Sequence, residues 1–268
     1  MRRRQLLAAL PTTALAGCLS GLGELDDRLS HDGRTPPDGV EFVEFTHPDS
    51  VRATRETRLG GVVRNTADTT QAGTVSLELS PDGEQWRRLL ERSYELAPGE
   101  QQIVETPTTT HFLGPLHLRL VPFDRRTRVE STDPTLPYGD AYVLPNGIHL
   151  TVADPTSIDS YEYEADGQRQ TATQREDWNW YLATVTARNE GDETATAPYR
   201  TAFGTMGYDW NEAIVYRAED AYEGGELQPG ASRSGAVLFE SRYNSSTQPI
   251  RIRHPYQNGT VGATWTPP

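Results

Sequence analysis

The sequence predicts an all-β protein that contains two antiparallel β-sandwiches in tandem. Apolar and polar residues alternate in the segments around Leu77, Leu118, Leu150 and Ile252, and a period of two residues is typical of strands. Turn-forming residues recur about every 8–12 positions, which favours a sandwich. Residues 84–95 come nearest to helical periodicity, although the Asp-Gly pair just before them is also a hairpin signal.

The first 17 residues have the three parts of a signal peptide. Three arginines come first, an apolar stretch of about 11 residues follows, and small residues end the segment. Arg3 and Arg4, followed by Gln5 and the apolar pair Leu6 and Leu7, form the pattern of twin-arginine export. The apolar stretch is shorter than the roughly 20 residues that cross a bilayer as a helix.

Cys18 directly follows this segment and is the single cysteine of the chain. Leu15-Ala16-Gly17-Cys18 resembles the lipobox at which a lipoprotein precursor is cut and lipidated. We therefore expect a lipid anchor at Cys18 that holds the protein on the outer face of the cell membrane, because two or more acyl chains anchor a protein stably. The alternative is an amphipathic amino-terminal helix that ends in Ala-Gly-Cys by chance.

The rest of the chain divides into a tether and two folded parts. Residues 18–39 predict a disordered tether, because they contain many glycines, prolines and acidic residues and few apolar ones. Residues 40–133 and 138–268 predict the two sandwiches, with a boundary near residues 134–139.

Composition limits the partners of this protein. The chain has 38 acidic residues against 25 basic ones, all of which are arginine, and removal of residues 1–17 changes the formal charge from −13 to −16. An acidic surface without lysine resembles the proteins of salt-accumulating halophilic archaea, where carboxylates retain water at high salt. An ordinary acidic protein from a high-GC genome is the alternative. Either origin makes nucleic acid a poor partner.

A weak internal repeat links the two halves of the folded region. Asn65 and the turn after it have a counterpart at Asn189, and a Leu-x-Pro-Gly segment follows each, at residues 96–99 and 227–230. Asparagine tolerates the left-handed backbone where a strand leaves its sheet, and Pro-Gly favours a tight turn between strands. We therefore expect the same local structure twice.

Two family resemblances cover most of the folded region. Residues of about 40–132 resemble the bacterial and archaeal cell-adhesion-related immunoglobulin-like domain, but Asp68 and the residues after it stand where a glycine is usual. The residues that carry this resemblance are Val63, Asn65, Leu77, Asp82-Gly83, Leu96, Pro98-Gly99, Gly114, Leu120 and Val129-Glu130-Ser131.

Residues of about 138–268 resemble the telokin-like immunoglobulin-fold domain of exported lipoproteins. The matching residues are those from Tyr181 to Asn189, then Leu227, Pro229-Gly230, Ser234-Gly235, Leu238-Phe239-Glu240 and Trp265. Together the resemblances imply two immunoglobulin-like sandwiches after a signal peptide and tether, in a haloarchaeal twin-arginine-exported lipoprotein. Neither family supplies catalytic residues to carry over.

Aromatic residues are dense in the second half of the chain. Trp178 and Trp180 share one face of a predicted strand, and Tyr208 and Trp210 follow within a short distance in sequence. Exposed aromatic side chains on a sandwich face stack on sugar rings or hold a protein partner, so these four residues form a candidate binding face. The alternative is that the segment around Tyr208 folds over the two tryptophans and buries them.

Other patterns give little support for chemistry. The spacing of the six histidines does not suggest a metal site, and no nucleophile stands in a catalytic arrangement. We therefore expect no metal, no cofactor and no enzymatic activity, although the acidic residues 154–166 leave calcium open. Asn244 and Asn258 begin Asn-x-Ser/Thr sequons and are candidate glycosylation sites.

These observations favour a membrane-anchored, non-enzymatic interaction module that binds a protein or a surface glycan. A structural spacer or an accessory subunit of an envelope complex is the alternative, and an extracytoplasmic hydrolase ranks last.

Overall fold

Strands make up nearly all the regular structure of the chain. The computed structural model describes residues 38–153, 155–173, 179–206, 210–212, 220–241 and 248–267. Within these ranges it contains 22 strands and one short 3-10 helix, Arg200–Ala202. The predicted all-β class is therefore confirmed.

The first eight strands share one core. They are β1 (Val40–Thr46), β2 (Ser50–Arg52), β3 (Glu56–Asn65), β4 (Gln71–Ser80), β5 (Arg87–Leu96), β6 (Gln101–Thr109), β7 (Phe112–Val121) and β8 (Arg125–Thr132).

The remaining strands build a second sandwich with a core of its own. They are β9 (Thr135–Pro137), β10 (Ala141–Val143), β11 (Ile148–Val152), β12 (Thr156–Ile158), β13 (Ser160–Ala165), β14 (Gln168–Thr173), β15 (Asn179–Asn189), β16 (Ala195–Ala197), β17 (Phe203–Met206), β18 (Trp210–Glu212), β19 (Gly225–Leu227), β20 (Ser232–Ser241), β21 (Ile250–Tyr256) and β22 (Gly259–Thr266).

In the first sandwich, a three-stranded sheet and a larger sheet enclose the core. The three-stranded sheet has the order β1-β3-β6, and the larger one runs β5-β4-β7-β8-β2. The alternation read from the sequence places Leu77, Leu118 and Leu120 on the inner face, where all three are fully buried. Burial of one such side chain contributes about 1.5–3 kcal/mol.

Residues 84–95, which come nearest to helical periodicity in sequence, form most of strand β5 and pair antiparallel with β4. The preceding segment is a tight turn in which Gly83 has φ 78°. The Asp82 carboxylate accepts the backbone N–H groups of Glu84 at 2.8 Å and Gln85 at 2.9 Å. The hairpin signal prevails over the helical pattern because the Asp82 side chain satisfies the N–H groups of this turn.

The second sandwich also consists of two facing sheets. One has β15 at its centre, with β11 and β12 on one side and β20 on the other, and the second contains β18-β17-β21-β22. Tyr181, Phe239 and Trp265 are fully buried between them. The indole N–H of Trp265 donates to the backbone oxygen of Asp140 at 2.9 Å, which satisfies the polar atom of the largest core side chain.

One sheet continues from the first sandwich into the second. Strand β22 pairs with the beginning of β7 through Thr260 opposite Leu113 and Val261 opposite Phe112. The described residues accordingly belong to one compact unit.

The internal repeat appears in three dimensions as a buried asparagine that ties a strand end to a later turn. Asn65 is fully buried, and its side-chain amide donates to the backbone oxygens of Thr69 and Leu96, each at 2.8 Å. Its Oδ1 accepts the N–H of Ala67 at 2.9 Å. We call this arrangement, with the Pro-Gly turn that it contacts, the asparagine turn.

Asn189 makes the same three contacts in the second sandwich. Its amide donates to the backbone oxygens of Glu193 at 2.8 Å and Leu227 at 2.9 Å, and its Oδ1 accepts the N–H of Gly191 at 3.0 Å. The expected repeat of one local structure is therefore observed.

The physical role of the two asparagines differs from the expected one. Neither Asn65 nor Asn189 has a left-handed backbone, and this conformation falls instead on Gly99 (φ 77°) and Gly230 (φ 75°) of the Pro-Gly turns. The asparagines contribute through their side chains, because an amide group can bond two carbonyls and one N–H at once.

Candidate functional site

The residues of the predicted anchor and several other predicted site residues lie outside the described ranges. These residues are Arg3, Arg4, Leu6, Leu7, Cys18, Trp178, Tyr208 and Asn244. Trp210 begins strand β18, but its side chain is not among those described. Within the described ranges, the chain has no helix of the length and apolar character needed to cross a membrane.

Trp180 lies in a small apolar cluster on the outer side of the β15–β20 pair. Its side chain is 7% exposed and packs with Ala236 and Leu238. Tyr161 of β13 meets the indole edge-on, with ring centroids 4.9 Å apart. Trp180 therefore does not lie on an open binding face and is buried, as the alternative interpretation holds. The side chains of Ile158 on β12 and Tyr161 on β13 pack against the cluster and cover it.

Tyr199 is the most exposed large hydrophobic side chain among the described residues of the second sandwich, at 58%. It precedes the 3-10 helix, and a neighbouring backbone segment is fixed by Arg233. The Arg233 guanidinium donates to the backbone oxygens of Glu223, at 3.1 Å, and of Gly224. The Tyr199 ring thus projects from a fixed part of the surface, and a planar exposed ring can stack on a sugar or pack on a protein.

Asn258, a predicted glycosylation site, lies at the junction of the two sandwiches. It is half-buried in the turn between β21 and β22, and its side chain hydrogen-bonds the carboxylate of Asp82 in the β4–β5 turn. N-linked glycosylation modifies the side-chain nitrogen that serves as donor here. A glycan on Asn258 would therefore compete with a contact between the two sandwiches.

Asp82 is the acceptor at the centre of this contact. In addition to Asn258, the Ser80 hydroxyl donates to it at 2.6 Å, and so do the N–H groups of Glu84 and Gln85. Partial desolvation raises the pKa of the Asp82 carboxyl, but the hydrogen bonds from Ser80, Gln85, Glu84 and Asn258 together lower this pKa to about 2.

An aromatic side chain fills the space beneath this contact. Phe112 packs against both cores, since it adjoins the buried clusters of the first and the second sandwich. Gly259 leaves room for the Phe112 ring, because a Cβ added at Gly259 would lie 2.5 Å from Phe112 Cδ1. We use the term junction for Asp82, Phe112, Asn258 and Gly259.

The linker between the sandwiches is bound to the second sandwich as well. The carboxylate of Asp133 pairs with Arg253 at 2.6 Å and accepts the Thr264 hydroxyl at 3.1 Å. The N–H of Thr264 donates to the backbone oxygen of Pro134 at 3.0 Å. The connection therefore follows the edge of strand β22 and is not a free hinge.

A buried ion pair on the outer face of the first sandwich was missed in the sequence. Glu78 and Arg119 lie opposite each other on β4 and β7, with 2.6 Å between Oε2 and Nη2, and both side chains are 8% exposed. The Trp86 ring covers the Arg119 guanidinium at 4.3 Å from its centroid, a cation–π contact. In the sequence, the available signal is a charged residue between two core leucines on each strand, acidic on β4 and basic on β7.

No metal site emerges within the described part of the chain. It holds no group of three or more His, Cys, Asp or Glu side chains that could bind a metal ion. His149 approaches only the Glu190 carboxylate, at 3.5 Å. Asp154, the first residue of the acidic segment considered for calcium, lies outside the described ranges.

Comparison with known proteins adds no relative to this description. No protein-family model matches the chain, and a search of curated proteins gives no significant match.

Proposed function

We propose that this protein is a lipid-anchored extracytoplasmic lipoprotein whose two sandwiches act together as a non-enzymatic interaction module. The twin-arginine pattern, the lipobox at Cys18 and the acidic, lysine-free composition support export and anchoring on the outer face of the membrane. The resemblance to cell-adhesion-related and telokin-like immunoglobulin folds supports a role in binding.

The observation that carries the proposal is the sheet shared by the two sandwiches. Pairing of β22 with β7, together with Phe112 in both cores, joins the sandwiches without a flexible hinge between them. A rigid pair of sandwiches on a tether can hold a binding surface at a fixed distance from the point where the tether joins the first sandwich. Modules that position a partner at a cell surface need this property.

Tyr199 is the described side chain that best suits contact with a partner on the second sandwich. Its exposed ring belongs to the same half of the chain as Trp178 and Trp210, around which the sequence predicts an aromatic binding face. We therefore propose a protein or a surface glycan as the ligand of this region, since both are held by aromatic side chains.

A structural spacer is the second candidate function, and the shared sheet also favours it. A spacer needs rigidity and length but no ligand of its own. The two candidates differ in whether a surface substitution such as Tyr199→Ala affects capture of a partner.

Fractionation of the cells tests the anchor. The Cys18→Ser variant should either release the mature protein into the medium or accumulate as uncut precursor, whereas Ser20→Ala should fractionate as the wild type does. Replacement of Arg3 and Arg4 by lysine should block export. An unchanged membrane fraction for Cys18→Ser would refute lipid anchoring at this residue.

Cross-linked pull-down from envelopes at native salt tests the binding role. A specific protein or glycan adduct on the wild type that Tyr199→Ala weakens about tenfold or more, as expected for an interface aromatic worth about 1.4 kcal/mol or more, supports the interaction module. Equal yields of adduct for both proteins would contradict the role of Tyr199, and no adduct at all would support the spacer.

A further inference from the structure

Strand β6 has one side without a partner strand among the described residues. It forms the end of the three-stranded sheet and pairs only with β3, over Gln101–Thr109. A strand in this position presents backbone N–H and C=O groups to which another strand can bind.

Four other sheet ends in the described ranges carry features that discourage pairing. Five of the ten residues of β5 are charged, β1 has a bulge between Phe42 and Glu44, and β10 and β18 are only three residues long. Charges, bulges, short length and prolines are the usual protections of an exposed edge, and β6 has one of them in Pro107, near its carboxyl end. Strand β6 is nine residues long and contains one charged residue, Glu105.

Ile103 makes this edge apolar on its solvent face. Its side chain is 55% exposed, whereas the next residue, Val104, is fully buried in the core. The exposed Ile103 lies next to Val62 of β3, which is 6% exposed. The stretch of β6 before Glu105 therefore has an exposed isoleucine and neither a charge nor a proline.

Pro107 indicates which backbone groups face outward. A proline has no N–H to give to the ladder and is accepted in an edge strand where its nitrogen faces away from the sheet. Because this direction alternates along a strand, the N–H and C=O groups of Ile103, Gln101 and Glu105 then face the open side.

We propose that β6 is a self-association edge, at which two copies of this chain pair β6 antiparallel about a twofold axis at Ile103. This inference goes beyond the proposed function, because it names a second copy of the chain as a partner. The six-stranded sheet that results has the order β1-β3-β6-β6-β3-β1 across the two copies. Pairing through a twofold axis is the usual form of a homodimer.

Charge favours this register over two others on the same strand. With Ile103 on the axis, the two isoleucines meet and Glu105 lies opposite Gln101 of the second copy. A register with Val104 on the axis would place Ile103 opposite Glu105. A register with Glu105 on the axis would oppose two carboxylates. The first register alone joins the apolar side chains without opposing like charges.

Disulfide trapping of the full-length protein in detergent tests the proposal. The wild-type chain, whose one cysteine is Cys18, gives the background. Ile103→Cys should form a disulfide-linked dimer above this background, because residues that face each other on neighbouring strands have Cα atoms about 5.5 Å apart, within disulfide range.

Glu105→Cys is the matched control, since it lies on the same strand and the same face. It should not form a dimer alone, but it should link to Gln101→Cys when the two proteins are mixed. A dimer from Glu105→Cys alone would overturn the proposed register. Equal linking of Ile103→Cys and Glu105→Cys, or no linking of either above the wild type, would overturn the proposal.

Light scattering of the same detergent-solubilised protein gives an independent measurement. The wild type should be a dimer, and Ile103→Glu should be a folded monomer, because Ile103 is outside the core. A monomeric wild type, or a dimer that Ile103→Glu leaves intact, would contradict the self-association of β6. Association of this chain with a different protein, and not with a second copy of itself, would also contradict the proposal.

Discussion

Asn65 and Asn189 each connect a strand end to a Pro-Gly turn through three hydrogen bonds made inside the protein. Both side chains are fully buried, and so are their hydrogen bonds to the carbonyls of Leu96 and Leu227, where no water can replace a lost donor. Leucine has the same heavy-atom skeleton as asparagine but can make none of these hydrogen bonds.

Asn65→Ala should lower the free energy of unfolding by about 2–3 kcal/mol, because it leaves the buried carbonyl of Leu96 without a donor and removes two further, partly buried hydrogen bonds. Asn189→Ala should cost a similar amount. Asn146→Ala, which removes an exposed bond to Thr196, is the control and should cost about 1 kcal/mol or less. Denaturant unfolding measures all three, and a cost for Asn65→Ala no larger than that for Asn146→Ala would contradict the role assigned to the buried amide.

The Asp82 carboxyl should contribute to acid sensitivity. Its pKa is lowered from 3.8 to about 2 in the folded protein, so its contribution to stability is complete above about pH 4 and is lost as the pH falls through about 2. Asp82→Asn should therefore remove part of the pH dependence of unfolding between these values. Identical slopes for the wild type and the variant across this window would show that the pKa of Asp82 is not lowered by folding.

At the scale of elements, β7 and β22 determine how the two sandwiches meet. Their pairing joins residues that are about 150 positions apart in sequence, through Phe112 opposite Val261. The Phe112 side chain takes part in both cores, so the two should unfold together.

Phe112→Ala should destabilise the protein by about 2–4 kcal/mol and should separate one unfolding transition into two, because it removes the side chain shared by both cores. Phe123, which packs only against the first core, supplies the control. Phe123→Ala should destabilise the first sandwich and leave the contact between the sandwiches intact. Calorimetry distinguishes these outcomes, and a single unchanged transition in Phe112→Ala would mean that the junction does not couple the two cores.

Local patterns in the sequence predicted most strands and the asparagine turns. Period-two alternation correctly places Leu77, Leu118 and Ile252 in the cores, since alternation is a local consequence of strand geometry. Pairing of β22 with β7 and the cover over Trp180 depend on contacts between distant segments, which a local pattern does not encode. The segment 84–95 shows the same limit, because partner strand β4 decides its conformation.

The exposed apolar residue Ile103 could not be identified as exposed from the pattern alone. In a strand, alternation gives two faces but does not say which residues of the outer face a neighbouring element covers. Glu78 and Arg119 show the opposite case, because they point away from the core and are nevertheless buried, with the Arg119 guanidinium against the Trp86 ring.

For the molecule as a whole, charge should make stability depend on salt. The formal charge of −13 over the chain implies strong repulsion between carboxylates, and the screening length falls from about 10 Å at 0.1 M salt to about 3 Å at 1 M. The Tm should therefore be higher at about 1 M than at about 0.1 M sodium chloride. A Tm that is equal or lower at high salt would argue against adaptation of this surface to a salt-rich environment.

Distance measurement between spin labels tests the central claim, that the two sandwiches form one rigid module. Labels at Ser93→Cys on β5 and Glu226→Cys on β19, in a Cys18→Ser background, place one exposed probe on each sandwich. The shared sheet predicts a single narrow distance distribution, which Phe112→Ala broadens. A broad distribution in the protein without Phe112→Ala would show that the sandwiches move independently, and would contradict a rigid module at the end of the tether.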